Sequence, residues 1–401
     1  MRRIVLGGIA LLVVAAAAFF ALAPGIVESG MNRVVPVAIR TSDRANGLAV
    51  DSVDLHADTL LWSRDLTDRA TRGQVDLPRL AQGGAALQVF SSVTKTPKGQ
   101  NYDSNGADSD NITLLTIAQL QPPRTWTSLL ERSLWHAEKL NRAAARSNGA
   151  LRVIRSAGDL DRLLADRTAN IGRRCPVEGA DGCDRLHPVG AMLSIEGLQN
   201  LEGRAANLDR LYAAGFRMAG FTHFFDNDLA GSMHGRAKGG LTPLGRRVLR
   251  DMEARGMIVD VAHASHAAVA DMLAMARRPV VSSHGGVQAT CRVNRNLTDG
   301  EIRGIARTGG LIGIGYWDAA VCSTEPKAIA AAIAHVRDLV GIGHVALGSD
   351  FDGAVTTGFD TTRLDGIAQA LIDRGFTDAE IAAVMHGNAI RVLRAGIQPK
   401  R

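Results

Sequence analysis

Short apolar runs alternate with amphipathic stretches along most of this chain, and this alternation limits its fold more than any other feature. Helices should fill the stretches between the runs, since Thr242–Arg255, Ser265–Ala276 and Pro326–Val340 open with Thr, Ser or Pro, as helix starts do. Alternating strands and helices form a parallel sheet, and eight repeats predict an α/β fold, the (β/α)8 TIM-type barrel. The eight predicted strands are Ser52–Leu55, Ala85–Phe90, Val189–Ile195, Phe216–Thr222, Met257–Ala262, Val280–Ser283, Leu311–Tyr316 and Val345–Gly348.

The composition is that of a large globular protein. Of 401 residues, 46% are hydrophobic and 21% are charged, so the chain can bury a full core and is not intrinsically disordered. The net charge is only +6, the basic residues are scattered among acidic ones, and aromatic residues make up 4%. We therefore expect no nucleic-acid partner.

The N-terminus carries a targeting signal. Arg2 and Arg3 precede the uncharged run Ile4–Ala23, which as a helix is about 30 Å long and can span a bilayer. The run is longer than the apolar region of a typical cleaved signal, and Pro24 would hinder cleavage after the A-x-A-like site Ala21–Ala23. A signal anchor is thus favoured over a removed signal peptide, and a buried core helix is the third alternative.

Export follows from this topology. With the two arginines held inside, the rest of the chain faces the periplasm or the cell exterior, or is secreted if the segment is cleaved. We expect residues 1–24 to be the anchor or signal peptide, 25–48 a linker, and 49–401 the (β/α)8 domain. In an oxidising compartment, Cys175 with Cys183 and Cys291 with Cys322 are plausible disulfide pairs.

Polar residues at strand ends mark the candidate site, because reactive side chains in such barrels project from the carboxyl ends of the strands. Six of the eight predicted strands end in His, Asp or Glu. Each alone is more simply explained as a buried histidine bonded to the backbone or an acid that caps a helix. Together they are costly to bury unless they bind metal or one another. The residues are His56, Asp58, Glu196, His223, His263, His284 and Asp350.

Imidazoles and carboxylates without thiolates suit zinc better than manganese, iron or cobalt. Five ligands exceed one tetrahedral zinc site that keeps an open position, so two ions are predicted. His56 and Asp58 would hold one ion and His263 and His284 the other, with Glu196 as the bridge between them. Tyr316, at the end of the seventh strand, either faces the pocket or fills the core.

The chain resembles the membrane dipeptidase (renal dipeptidase) family, the M19-type zinc peptidases among metallo-dependent hydrolase-like barrels. The resemblance covers about Val50 to Leu393 and rests on several motifs in order. These motifs are Asp54–Thr59, Ser194–Gly197, Phe221–His223, Asp260–His263, Ser282–His284, Arg295–Leu297, Gly348–Gly353 and Gly387–Ala389.

The resemblance implies the same two zinc sites, with Glu196 in both. It further implies His223 and Arg295 as substrate contacts, Asp350 as the proton-transfer acid/base, and a Cys291–Cys322 disulfide. The implied reaction is hydrolysis of dipeptides by a metal-bridging hydroxide, with tolerance for a D-residue at the C-terminal position. In that reaction His223 helps stabilise the oxyanion, and Arg295 pairs with the substrate's free carboxylate.

Two other classes stay open at this stage. A related binuclear metal amidohydrolase acting on N-acyl amino acids or lactams would share the ligands but differ at Arg295. A non-catalytic, membrane-tethered binding protein is the less favoured alternative, since all five expected ligands and Asp350 are present. A homodimer is also left open. The polar insertions Asn101–Thr125 and Arg173–Pro188 are expected to form loops over the barrel mouth.

Overall fold

Eight parallel strands close into a barrel in the computed structural model, which describes residues 2–170 and 187–398. Each strand pairs with its neighbours in chain order, and the second strand pairs with the third over its full length, which closes the ring. The (β/α)8 prediction is confirmed. The strands are β1 (Val53–Ala57), β2 (Leu87–Val93), β3 (Val189–Glu196), β4 (Phe216–Gly220), β5 (Ile258–Asp260), β6 (Val281–Ser282), β7 (Leu311–Ile314) and β8 (Val345–Leu347).

Helices lie between the strands, and their starts follow the expected chemistry. Thr298 and Glu301 form a reciprocal capping box, and Pro243 occupies the first turn after the Thr242 cap. The α-helices are Arg2–Met31, Asp43–Ala49, Leu77–Gln82, Ile112–Ala118, Arg124–Thr127, Leu129–Arg146, Ala157–Ala169, Asn207–Ala214, Pro243–Arg255, His266–Met275, Asp299–Arg307, Asp318–Val321, Pro326–Val340, Asp365–Asp373, Asp378–Ala382 and Asn388–Gly396. Short 3-10 turns cover Thr59–Leu61, Leu198–Leu201, Ile342–His344 and Thr361–Arg363, and a π-turn covers Ala383–Gly387.

Three short strands lie outside the ring. Leu151–Val153 pairs with the start of β3, beside the position where β4 pairs with its end. Arg33–Val34 pairs with Thr356–Thr357, in the loop that follows β8. This second pairing ties the chain before the barrel to the loop beyond the last strand.

Apolar side chains from strands and helices form a continuous core. One cluster joins strand residues such as Val53, Met192 and Met218 to Val392 and Leu393 of the C-terminal helix. These side chains are fully or almost fully buried. The strands are therefore held between packed layers, which leaves only their carboxyl ends and loops to form a site.

The N-terminal helix is long and apolar. It covers Arg2–Met31, and its stretch Leu11–Met31 has a mean hydropathy of 2.2, enough in length and composition to cross a membrane. Near its end Glu28 is buried and forms ion pairs with Arg64 and Arg72. The last turns of the helix are thus attached to the barrel.

Residues 25–48, expected as a linker without regular structure, contain ordered elements. They include the end of the long helix, the strand Arg33–Val34 and most of the helix Asp43–Ala49. Backbone pairing to Thr356–Thr357 and the buried Glu28 hold this segment on the barrel, contacts that sequence periodicity does not reveal. The proposed domain boundaries stay a prediction.

Cys291 and Cys322 form a disulfide, with 5.4 Å between their Cα atoms, as the family resemblance implied. The bond ties the loop after β6 to the end of the short helix Asp318–Val321 that follows β7. The second expected pair, Cys175 with Cys183, lies outside the described residues, as does most of the insertion Arg173–Pro188.

Candidate active site

The predicted ligands converge at the carboxyl ends of the barrel strands. His56 lies within β1 and Glu196 is the last residue of β3, while Asp58, His263 and His284 follow β1, β5 and β6 within three residues. All five side chains are buried. Separate strands thus deliver the imidazoles and carboxylates to one place because the strands are parallel and in register.

Glu196 is the centre of the cluster. Its Oε1 atom lies 2.8 Å from Nε2 of His263, 3.2 Å from Nε2 of His284 and 3.5 Å from Nε2 of His223. Its Oε2 atom lies 3.8 Å from Nε2 of His56. The two carboxylate oxygens therefore face different sets of imidazoles, as a bridging ligand requires.

The donor atoms fit a metal. Nε2 of His56, Oδ1 of Asp58 and Oε2 of Glu196 are buried and have no hydrogen-bond partner among the described residues. Buried polar atoms of this kind are normally paired, so three that converge call for an ion. Within the described residues, three groups hold ligand atoms within 4.8 Å of one another: His56 with Glu196 and His284, Glu196 with His223 and His263, and His56 with Asp58 and Asp350.

These groups differ in detail from the predicted pairs of ligand sets. His223 and Asp350, which were given catalytic roles, lie within the same clusters as the expected ligands. Nε2 of His56 is 3.9 Å from Oδ1 of Asp350 and 3.5 Å from Oδ1 of Asp58. The apo geometry thus places all seven residues in one site.

The site is rich in buried carboxylates, and the pKa values reflect this. Burial raises the pKa of Asp350 well above its usual range, and the nearby charges of Asp58 and Glu196 raise it further. Burial and the charge of Glu196 likewise raise the pKa of Asp58 to about 6. Three carboxylates that share one buried space favour a cation between them.

The histidines respond in opposite directions. Burial opposes the charged form of His56, but the charges of Asp58 and Glu196 outweigh it and raise its pKa well above the usual value. Burial and the charge of Arg295 hold the pKa of His263 well below its usual value. A neutral imidazole has a free lone pair, which is the form that binds a metal.

Hydrogen bonds behind the ligands fix their orientation. The Ser283 hydroxyl lies 2.5 Å from Oδ2 of Asp260 and 2.9 Å from Nδ1 of His284. If Ser283 donates to Asp260, it accepts from the Nδ1–H of His284, which leaves Nε2 of His284 free for the cluster. On the other side, Asp54 accepts hydrogen bonds from the backbone N–H of His56 and from Ser349.

Tyr316 does not reach the pocket as a substrate contact would. It is fully buried, lies outside the cavity wall formed by the described residues, and its hydroxyl donates to Oδ2 of Asp54 at 3.2 Å. Of the two alternatives open for Tyr316, the structure favours the one in the core. The physical reason is that Asp54, two residues before His56, needs donors for its buried carboxylate.

Arg295 lies beside the histidines. Its Nη2 atom donates to the carbonyl of His284 at 2.9 Å and lies 3.4 Å from Nε2 of His263. It is buried, and it lines the same cavity as Glu196 and Asp350. A buried guanidinium in such a place is suited to bind a carboxylate.

Two site residues have left-handed backbone conformations, His263 with φ 63° and Asp350 with φ 62°. Residues other than glycine rarely adopt this conformation, and functional sites are where it is tolerated. In both cases the turn comes directly after a barrel strand. It aims the side chain back over the end of the barrel.

A cavity of about 360 Å³ opens above the cluster. Its floor is formed by polar residues that include Asp58, Glu196 and Asp350, and aromatic residues form part of its wall. Sequence reasoning missed Trp62, Tyr102 and Trp317 in this wall. Tyr102 lies in the insertion that was expected over the barrel mouth, so an aromatic residue within that polar loop was the available signal.

A closed parallel barrel with histidines and carboxylates at its strand ends defines a metal-dependent hydrolase-like protein. The family described as membrane dipeptidase, peptidase family M19, matches residues 43–398 of this chain. The chain therefore belongs to the membrane dipeptidase family.

Similar proteins include two fungal dipeptidases. The dipeptidase aclJ of Aspergillus oryzae is 33% identical over 51% of this chain, and the match spans about half of that protein's length (51%). The dipeptidase tcpJ of Claviceps purpurea is 28% identical over 80% of this chain and 69% of its own.

Solved structures share the fold. The probable dipeptidase PvdM from Pseudomonas aeruginosa has a TM-score of 0.71 at 20% identity, over 89% of this chain and 98% of its own. A metallopeptidase from Rhodobacter sphaeroides, solved with a phosphinate mimic of the dipeptide L-Ala-D-Ala, has a TM-score of 0.67 at 21% identity, over 86% of this chain and 99% of its own.

Proposed function

We propose that this protein is a zinc-dependent dipeptidase that acts on the exported side of a membrane. The observation that carries the proposal is the position of Glu196, whose two oxygens face His263 and His284 on one side and His56 on the other. The buried Arg295 in the same cavity adds a group that can bind a substrate carboxylate.

His56, Asp58 and Glu196 would hold one zinc ion, and Glu196, His263 and His284 the second. When bound, such ions supply Lewis acidity, which polarises a carbonyl and lowers the pKa of water to near neutrality. The unpartnered atoms of His56, Asp58 and Glu196 support this assignment.

The remaining residues bind the substrate and move protons. Arg295 pairs with the free C-terminal carboxylate of a dipeptide, which limits substrate length. His223 lies 3.5 Å from Glu196 and donates to the developing oxyanion. Asp350 accepts a proton from the attacking water and returns it to the leaving amine, since its raised pKa suits a group that both takes and gives a proton.

We further infer that a D-residue is tolerated at the C-terminal position. The Rhodobacter sphaeroides metallopeptidase with the same fold binds a mimic of L-Ala-D-Ala. Arg295 would bind the carboxylate of either enantiomer, because the pairing involves only the carboxylate.

We also propose that the N-terminal helix anchors the enzyme, with the barrel on the periplasmic or extracellular side. The apolar stretch Leu11–Met31 supports this, as does the disulfide between Cys291 and Cys322, which is typical of an oxidising compartment.

A substrate panel with an arginine variant tests the function. The zinc-loaded full chain is assayed against L-L and L-D dipeptides, their C-terminal amides, N-acyl amino acids and lactams. We expect hydrolysis of free dipeptides and little of the amides. Arg295→Met should lower kcat/KM for dipeptides by about 10²–10³-fold, because it removes a buried charge that pairs with the substrate.

Arg292→Met is the matched control, since Arg292 lies in the same loop but is exposed. It should leave dipeptide hydrolysis unchanged. Faster turnover of N-acyl amino acids or lactams than of dipeptides, together with insensitivity to Arg295→Met, would favour the amidohydrolase alternative instead.

A further inference from the structure

The end of the N-terminal helix forms part of the active-site cavity. Val27 and Met31 line this cavity together with Asp58, Glu196 and Asp350. Both residues lie before residue 43, where the match to the dipeptidase family begins. This part of the wall is therefore supplied by a segment outside the family-matched region.

The helix is held in this position by its neighbouring face. Pro24, Glu28 and Asn32 are buried at four-residue spacing, so they form one face against the barrel. Glu28 pairs with Arg64 and Arg72 there, and the side-chain oxygen of Asn32 accepts a hydrogen bond from the backbone N–H of Ala354 at 2.9 Å. Val27 and Met31 each precede a member of this face and flank it at the cavity.

The helix meets the end of the cavity that lies away from Arg295. Ala354, its hydrogen-bond partner, follows Gly353, where a Cβ would lie 2.3 Å from Oδ1 of Asp350 and 2.9 Å from Oδ2 of Asp58. Arg295 contacts His263 and His284 on the other set of ligands.

A dipeptide with its carboxylate on Arg295 would therefore extend its N-terminal residue toward Asp58 and the helix. The wall there is apolar, and it consists of Val27, Met31, Leu61, Trp62, Ile112 and Leu115. Val27 and Met31 are 43% and 45% exposed, so they have apolar surface that a substrate side chain can cover.

We propose that the end of the N-terminal helix is a specificity element, which selects dipeptides with a bulky apolar N-terminal residue. The proposal rests on the dipeptidase function proposed above. It assigns a second role to the membrane-spanning helix, because its last turn contacts the substrate. Removal of the helix would thus change substrate choice as well as location.

The test compares two pairs of dipeptides in the full chain carrying Val27→Ala with Met31→Ala. Leu-Ala against Gly-Ala varies the N-terminal residue, and Ala-Leu against Ala-Gly varies the C-terminal residue. The ratio of kcat/KM for Leu-Ala over Gly-Ala should fall about tenfold, as expected when methylene groups are removed from an apolar pocket. The ratio for Ala-Leu over Ala-Gly should not change.

Two controls separate selectivity from folding. Ile26→Ala changes the same helix at a residue that is 68% exposed and lies outside the described cavity wall, and it should leave both ratios unchanged. Met31→Leu keeps the apolar bulk and should retain the Leu-Ala preference. Binding of phosphinate analogues of Leu-Ala and Gly-Ala, measured in parallel, should show the same loss of discrimination as the kinetics.

An unchanged Leu-Ala over Gly-Ala ratio in the double variant would overturn the proposal, as would an equal fall in both ratios. If the unaltered chain hydrolyses none of these dipeptides, the proposed function fails, and this proposal fails with it. The two failures are distinguishable because the first requires an active enzyme.

Discussion

The Nε2 atoms of His263 and His284 lie 3.0 Å apart. Two neutral imidazoles can approach so closely only if one donates a proton to the other or both bind a common cation. The Ser283 contact at Nδ1 of His284 favours the form in which Nε2 carries a lone pair. The pair is thus preorganised for a metal, and Glu196 lies within 3.2 Å of both.

Metal analysis should find close to two zinc ions per chain, because the ligands of this site exceed one tetrahedral centre. Removal of the metal with a chelator should lower the melting temperature, and added zinc should restore it, since an ion that binds only the folded chain stabilises it. His284→Ala should reduce the zinc content, whereas His335→Ala, which affects a helix partner of Asp299, should not. A single ion in fully active protein would refute the binuclear site.

Asp350→Asn keeps the shape of the side chain and removes its basicity. Loss of general acid/base help typically costs about 10²–10⁴-fold in rate, so turnover should fall by that order while binding of a dipeptide analogue stays nearly constant. Zinc content and turnover are measured on the same preparation. Depleted zinc would instead identify Asp350 as a ligand, which its distance of 3.9 Å from His56 permits, and normal zinc with normal turnover would reject both roles.

The barrel and the centre of the site were predictable from the sequence because both depend on local pattern. The run before His56 predicted a strand that the structure extends to Ala57, and parallel strands then bring His56 near Glu196 without further information. Alternation along the chain and polar residues at strand ends were sufficient signals.

The cavity wall was not predictable in the same way. Val27 reaches the cavity only because the buried Glu28 pairs with Arg64, a contact between residues far apart in the chain. Tyr102 lies on an irregular loop, whose course depends on tertiary contacts such as the one between its hydroxyl and Trp317. Sequence periodicity carries no information on either contact.

Asp352 is predicted to stabilise the fold rather than bind metal. It is fully buried, pairs with Arg64, and accepts hydrogen bonds from Thr59 and from the backbone N–H of Gln74. Asp352→Ala leaves a buried guanidinium without this partner, which should cost about 3–5 kcal/mol in the free energy of unfolding.

Denaturant unfolding checks this, with Asp338→Ala as the control, because Asp338 is 65% exposed in a surface pair with Arg337. The control should change the free energy of unfolding by no more than about 1 kcal/mol. Folded Asp352→Ala protein should still bind zinc normally, and a variant that is stable but depleted in zinc would show that Asp352 belongs to the metal site.

The ion pair between His266 and Glu301 should make stability depend on pH. Nδ1 of His266 lies 2.6 Å from Oε1 of Glu301, and this hydrogen bond raises the pKa of His266 above its ordinary value of 6.5. A raised folded-state pKa adds stability that is fully present below the unfolded pKa and is lost as pH rises through the folded value. The hydrogen bond from His266 also lowers the pKa of Glu301 against the opposing effect of burial, so the carboxylate stays charged at the acidic end of this range.

His266→Gln should therefore lower the melting temperature more at about pH 5.5 than at about pH 9, where the native histidine is neutral. The effect should be small, because the side chain is 51% exposed and solvent screens the pair. Glu301→Gln combined with His266→Gln provides the cycle that isolates the interaction, and its coupling should vanish at the higher pH. A melting-temperature difference that is the same at both pH values would mean that the contact contributes through packing and not through charge.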